Sequence, residues 1–258
     1  MNTLKTITLA LMPIIFSVTE LRAEEISLNR LQEEGEKAYY AADYPTALEK
    51  WETGLKKARE IGNKRYISQF LGNIGVVYDN LGSYPKALEY YQQALKIKKE
   101  IGDKRGEGAD LTNIGVLYKN LGEYQKAKKA FQDSAVIFKE ISSSDDLWKA
   151  QRGLASTEAK LNQSEPAIQH YEQALDNIER LRAGLEKEHK ISFMRRKLYV
   201  YDELIALLQS LHPNHPKKGY DRKAIETFER KQGRVFLEEM GQSGARRFSG
   251  ITQEIIQI

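Results

Sequence analysis

Residues 71–78 read LGNIGVVY, and residues 111–118 read LTNIGVLY. Extended in both directions, 71–110 and 111–150 agree at 17 of 40 positions without a gap, among them Asn73 with Asn113, Gly75 with Gly115, and Tyr84 with Tyr124. The same register reaches upstream, where Gly35, Tyr44, Ala47 and Trp51 stand forty residues before Gly75, Tyr84, Ala87 and Tyr91. Downstream it continues more faintly through Ala155, Ala167 and Tyr171. Four copies are therefore visible, at about 31–70, 71–110, 111–150 and 151–190. A fixed period of this size marks an array of stacked units, each burying a face that it could not bury alone.

Within one copy the apolar spacing is helical. Leu71, Ile74, Val77, Tyr78 and Leu81 share one face, LGSYP interrupts, and Ala87, Leu88, Tyr91, Leu95 and Ile97 resume the pattern. Each copy is thus a pair of antiparallel helices. Gly82 and Ser83 close the first helix and cap the second, and Pro85 falls in a first turn, where a missing N–H costs nothing. IGDKRGEG at 101–108 reads as the turn into the next copy.

The small residues have a packing reason. Gly35, Gly75, Gly115 and Ala155 fall inside helices, where glycine is unfavourable by about 0.5–1 kcal/mol relative to alanine, so close helix approach must require them. Ala47, Ala87, Ala127 and Ala167 give the partner helices matching flat seams, and Trp51, Tyr91, Phe131 and Tyr171 fill the space between successive copies.

The order carried by Leu71, Ile74, Gly75, Tyr78, Gly82, Tyr84, Ala87, Tyr91 and Ala94 resembles the tetratricopeptide repeat over about 160 residues. At 40 residues the period exceeds the usual 34 and is similar to the longer variant of kinesin light chains and bacterial signalling proteins. The resemblance implies an all-α fold, an α-α superhelix of antiparallel helix pairs, whose first helices line a concave groove that binds other polypeptides.

Ahead of the array, Lys5 precedes an apolar run from Ile7 to Val18, and the segment ends on Ala23 before Glu24 and Glu25. Residues 1–23 read as a secretory signal peptide, with a retained amphipathic anchor as the alternative, and a signal peptide implies export to the periplasm or extracellular space of a bacterium. The run is too short for a membrane span, and no second one follows. With 40 Lys and Arg against 36 Asp and Glu in mixed order, the charge does not argue for nucleic acid. Cysteine is absent, which removes disulfides, cysteine zinc sites and a cysteine nucleophile.

Beyond the array, a helical pattern from Glu186 to Leu211 precedes HPNHPKKG and a second helix at about Tyr220–Met240. Residues 191–241 read as a degenerate fifth helix pair, and 242–258 as a terminal tail or connector. Residues 187–247 hold 14 Lys and Arg against 8 Asp and Glu, which reads as a solvated basic face or as a docking surface for an acidic partner. AIETFERKQGRVFLEEMGQSGARRF, with Glu229, Arg230, Arg234, Leu237 and Glu238, resembles the connector between a tetratricopeptide array and a caspase-like CHAT domain. That resemblance implies the sensing part of a CHAT-type protein, or the amino-terminal fragment of a peptidase whose catalytic domain lies beyond Ile258.

No catalytic constellation is found, so these residues are read as a non-enzyme without cofactor or metal. His212 and His215 lie three apart between prolines with only Asp221 as a third donor, which suits a surface loop better than a metal. GDKRGEG at 102–108 lacks the order of a phosphate loop. The groove is the candidate site. Between the packing positions the first helices carry Glu33, Glu36, Tyr39 and Tyr40, then Asn73, Asp79 and Asn80, then Asn113, Lys119 and Asn120, then Lys149, Arg152 and Lys160. That series runs from acidic through amide to basic and suits a protein or peptide ligand of opposite polarity. Asn73 and Asn113 can each donate and accept, which would hold an extended backbone whatever its side chains; the alternative is a bond to a neighbouring helix. Gly72 and Val76 replace two residues of the carboxylate-clamp variant, which argues against that ligand class.

Overall fold

The computed structural model describes residues 22–242. Residues 1–21 and 243–258 lie outside the described residues. So do the apolar run read as a signal peptide and nearly all of the terminal tail. All regular structure among the described residues is helical. The helices are α1 (22–40), α2 (Tyr44–Glu60), α3 (Lys64–Asn80), α4 (Tyr84–Ile101), α5 (Lys104–Asn120), α6 (Tyr124–Glu140), α7 (Ser144–Lys160), α8 (Ser164–Ala183), α9 (Lys187–Arg195), α10 (Tyr199–Leu211) and α11 (Tyr220–Gln242). None of them is long and apolar enough to cross a membrane.

The chain divides into two compact units, 1–117 and 118–258, with the boundary in the last turn of α5. In the first, α2 packs on α3 and α3 on α4; in the second, α6 packs on α7, α7 on α8, α8 on α10 and α10 on α11. The fold class is all-α, with consecutive helices packed pairwise as the apolar spacing requires.

The connections repeat at half the sequence period. A residue of positive φ closes a helix at every twentieth position, at Ala42, Gly62, Gly82, Gly102, Gly122, Ser142 and Asn162. At Gly82 the turn is of Schellman type: Ser83 donates its N–H to the Tyr78 carbonyl at 2.8 Å and Gly82 to Asp79 at 2.9 Å. Asp43 and Asn63 then cap α2 and α3 with side-chain bonds to Thr46 and Tyr66, whereas Ser83 occupies the cap position of α4 without such a bond. The stretch 101–108 is mostly helix rather than turn: only Gly102 and Asp103 lie outside α4 and α5, and Asp103 accepts from the Gly106 N–H at 2.9 Å.

Glycines and aromatics meet as close approach demands, within helix pairs as well as between them. A Cβ on Gly75 would lie 2.9–3.3 Å from the ring of Tyr91 on the paired helix, and one on Gly35 would enter the indole of Trp51. Phe70 fills the space over Gly54, and Phe131 that over Gly153. The core of the first unit centres on Leu28, Trp51, Phe70, Leu71, Ile74 and Val77.

In the second unit a core of Ile168, Tyr171, Leu175, Ile178, Tyr201, Leu204 and Leu208 extends to Tyr220 and Ala224 of α11. The stretch 186–211 is two helices, not one. The turn at 196–198 lets Met194 on one side and Val200 and Tyr201 on the other enter the same core.

Candidate functional site

In the first unit a cavity of about 480 Å³ is lined by α1 (Asn29, Gln32, Glu36), α3 (Arg65, Tyr66, Gln69, Gly72, Asn73, Val76) and α5 (Ala109, Asp110, Asn113), with Lys98 reaching in from α4. Three first helices supply the wall because residues at one position of the period share one face of the array.

The floor is an ion pair. Lys98 Nζ donates to Asp110 Oδ1 at 2.8 Å, with the two residues 8% and 2% exposed. Burial pushes the Asp110 carboxyl up to about 6, although Lys98 pulls against the rise. Two glycines make room for the pair. A Cβ on Gly106 would lie 2.2 Å from Asp103 Oδ2 and 2.8 Å from Lys98 Cδ, and Gly72 leaves the head of the pair facing the cavity. Gly106 of GDKRGEG therefore makes room for the Asp103 carboxylate that caps it and for the Lys98 stem, a packing role that accounts for it without a phosphate.

Around this floor the polar groups are incompletely paired. Asp110 Oδ2, Gln32 Oε1 and Asn73 Nδ2 are buried without a hydrogen-bond partner, and all three residues line this cavity. A buried polar atom without a partner costs about 1–3 kcal/mol, so two open acceptors and one open donor at one cavity describe a surface prepared for something that supplies donors and an acceptor. Other wall groups are committed. Gln32 Nε2 donates to Glu36 at 2.7 Å, and the Tyr66 hydroxyl to Asn29 at 2.7 Å.

The structure brings Asn73 and Asn113 to one site, with Glu36 beside them. It does not gather the remaining sequence candidates there. Asn80 donates to the Tyr39 hydroxyl and to the Val76 carbonyl, both at 2.9 Å, and so ties α3 to α1. Asp79 is half-buried, and burial raises its carboxyl. Glu33 and Tyr40 are exposed on α1.

In the second unit, Arg152 grips Glu203 of α10 through Nε at 2.8 Å and through Nη2, with its guanidinium 4.6 Å from the ring centre of Tyr199. Lys149 pairs with Asp146 at 3.0 Å. Lys119 donates to Ser156 at 3.3 Å; burial first, and then the charge of Arg152, lowers its ammonium. Asn120 and Lys160 are exposed. The basic residues of the series are thus largely engaged in holding α5, α7 and α10.

Sequence reasoning missed Gln32, Arg65, Gln69, Lys98 and Asp110. For the last two a signal existed: the copies on either side put apolar residues at their positions, Ala58 and Phe138 for Lys98 and Phe70 and Ala150 for Asp110, so a Lys and an Asp there are exceptions to the packing rule.

Residues 68–100 and 109–180 match family models of the tetratricopeptide repeat. No curated protein matches the chain in sequence. Among solved structures the chain is similar to BtubC from P. vanneervenii, with 16% identity over 89% of this chain and 95% of that one and a TM-score of 0.58. It is similar to the Rap conjugation gene regulator of plasmid pLS20, solved in complex with the Phr* peptide, with 14% identity over 87% and 59% of the two chains and a TM-score of 0.55. It is also similar to a signal transduction ATPase with numerous domains that carries a tetratricopeptide repeat sensor, from Pyrococcus horikoshii, with 20% identity over 88% and 34% and a TM-score of 0.63. At these identities the likeness is one of fold, and the family models mark residues 68–100 and 109–180 as tetratricopeptide repeats.

Proposed function

We propose that the protein is a binding module that takes an extended peptide segment in the cavity of the first unit. The observation that carries this is the set of three buried, unpartnered polar atoms on three successive first helices. An extended backbone offers N–H and C=O groups in alternation along its length, which suits a wall with an open amide donor and two open acceptors. Asn73 and Asn113 would fix the ligand backbone, and Arg65, Gln69 and Glu36 at the wall would read its side chains. That a tetratricopeptide-like neighbour holds the Phr* peptide supports the reading.

Changing Asn73 and Asn113 together to Ala tests it. Loss of about 1 kcal/mol per hydrogen bond corresponds to a roughly tenfold or greater weakening of peptide binding, with thermal stability unchanged. Binding that survives the double change at full strength would sink the assignment.

Two further readings rest on sequence alone. The leader supports export, so fusing residues 1–40 to a reporter active only outside the cytoplasm should yield activity. The connector resemblance supports a role as the sensing part of a CHAT-type protein, or as the amino-terminal part of a caspase-like peptidase. A His and Cys dyad encoded beyond Ile258 would favour the peptidase form, and a coding sequence that ends without one would remove it.

A further inference from the structure

The cavity floor is where the chain breaks its own period. In the forty-residue register Lys98 stands where Ala58 and Phe138 stand, and Asp110 where Phe70 and Ala150 stand; all four of those residues are buried. A buried ion pair is rarely worth more to a fold than the apolar contact it replaces. Packing alone therefore gives no reason for the exception.

Gly72 gives no packing reason either. It sits mid-helix in α3, where glycine weakens the helix relative to alanine. A Cβ there would meet nothing closer than Lys98 Nζ at 3.5 Å and Asp110 Oδ1 at 3.7 Å, ordinary contact distances, whereas Gly75 is held by Tyr91 at 2.9 Å. What Gly72 does is keep a side chain off the head of the ion pair, where both residues line the cavity. Asp110 meanwhile is 2% exposed and keeps Oδ2 without a partner.

We propose that the Lys98–Asp110 pair, with no side chain set over it at Gly72, is the specificity element of the peptide site, seating on Asp110 Oδ2 one ligand residue with an uncharged hydrogen-bond-donating side chain, a hydroxyl or a carboxamide. This rests on the reading of the cavity as a peptide site. Lys98 already balances the Asp110 charge, so a ligand Lys or Arg would bring a second cation against its ammonium. A ligand Asp or Glu would set a carboxylate against Oδ2. An apolar residue would leave Oδ2 buried and unpaired. A Ser, Thr, Asn or Gln side chain meets the open acceptor and adds no charge.

The test uses a positional-scanning library of N-acetylated, C-amidated heptapeptides against the full chain and two variants. One is Gly72→Ala. The other is Lys98→Phe with Asp110→Ala, which writes the apolar pair of positions 138 and 150 into the floor. For the unaltered chain, one ligand position should prefer Ser, Thr, Asn or Gln over Ala and over all charged residues by about tenfold or more. The double variant should melt at or above the unaltered temperature, still bind peptides through the asparagines, and show a flat preference at that position. Gly72→Ala should weaken the preferred peptides without lowering the melting temperature. Peptide binding with no such preference, or a preference unchanged in the double variant, overturns the inference and leaves the peptide site standing. Should the double variant fail to fold, Gly72→Ala decides, and full affinity in it overturns the inference. If no heptapeptide binds the unaltered chain, the peptide-site reading falls and the specificity element falls with it.

Discussion

Tyr201 of α10 donates its hydroxyl to Glu179 of α8 over 2.6 Å, and the same carboxylate takes Arg182 at 3.0 Å and Arg234 of α11 at 3.1 Å. One acid therefore joins three helices of the second unit. Burial alone would raise the Glu179 carboxyl, but the bonds from Tyr201 and Arg182 and the charge of Arg234 outweigh it and hold the group below its usual range.

Tyr201→Phe should accordingly destabilise the chain by about 1 kcal/mol at neutral pH. A carboxylate with a lowered folded-state pKa contributes stability above its unfolded value and loses it as the pH falls through the folded one. The gap between the variant and the unaltered chain should therefore narrow in acid. Urea unfolding at neutral pH and below about pH 4 checks both the size and the trend.

Asp110 runs in the opposite sense. Its carboxyl is raised from 3.8 to about 6 by burial, with Asp103 adding to the rise and Lys98 opposing it. Between those values the folded chain holds a proton that the unfolded chain does not, so this group's contribution falls as the pH rises from about 4 to about 6. Replacing Lys98 by Phe and Asp110 by Ala removes the group. The variant's advantage in unfolding free energy should grow across that window and level off above it. An advantage independent of pH would refute the assignment.

The two glycines of α3 should respond oppositely to alanine. At Gly75 the added methyl meets Tyr91, which is 1% exposed and has nowhere to move, so the change should cost about 1–3 kcal/mol. At Gly72 it meets only Lys98 Nζ at 3.5 Å and Asp110 Oδ1 at 3.7 Å, ordinary contact distances, and the gain in helix propensity should stabilise by about 0.5–1 kcal/mol. Thermal melts of the two variants side by side settle this.

Ala42 and Ser142 hold the left-handed turn at φ 59° and 55°, where most other connections of the series use glycine. An L residue there is strained by about 1–2 kcal/mol. Ala42→Gly and Ser142→Gly should each recover about 1 kcal/mol, less the entropy that glycine adds to the unfolded chain. Gly82→Ala should lose a similar amount. Equal stability of all three variants would show that the turns are set by something other than this backbone preference.

How much of this was legible beforehand depends on whether a residue obeys the period. Leu71, Ile74 and Gly75 follow it, and from them the helix pairs, the glycine–aromatic docking and the place of Asn73 and Asn113 on one wall could all be read. Lys98 and Asp110 do not follow it. Each is unremarkable alone, and their pairing across twelve positions becomes visible only when α4 and α5 lie side by side. Arg152 shows the converse: its spacing placed it with the ligand-facing residues, but its charge is taken up by Glu203, fifty-one positions away. The single helix read across 186–211 failed for a related reason. Helical spacing constrains each segment but does not register a three-residue turn that re-aims one against the next.

The left-handed residue at every twentieth position also sets how the chain can change in length. Because each helix runs from one such turn to the next, inserting a single residue rotates everything after it by about 100° and carries the apolar stripe off its neighbour. Inserting forty residues restores every face to its place. Length variation among descendants of this sequence should therefore come in whole helix pairs or fall within the turns, while the span between turns stays fixed.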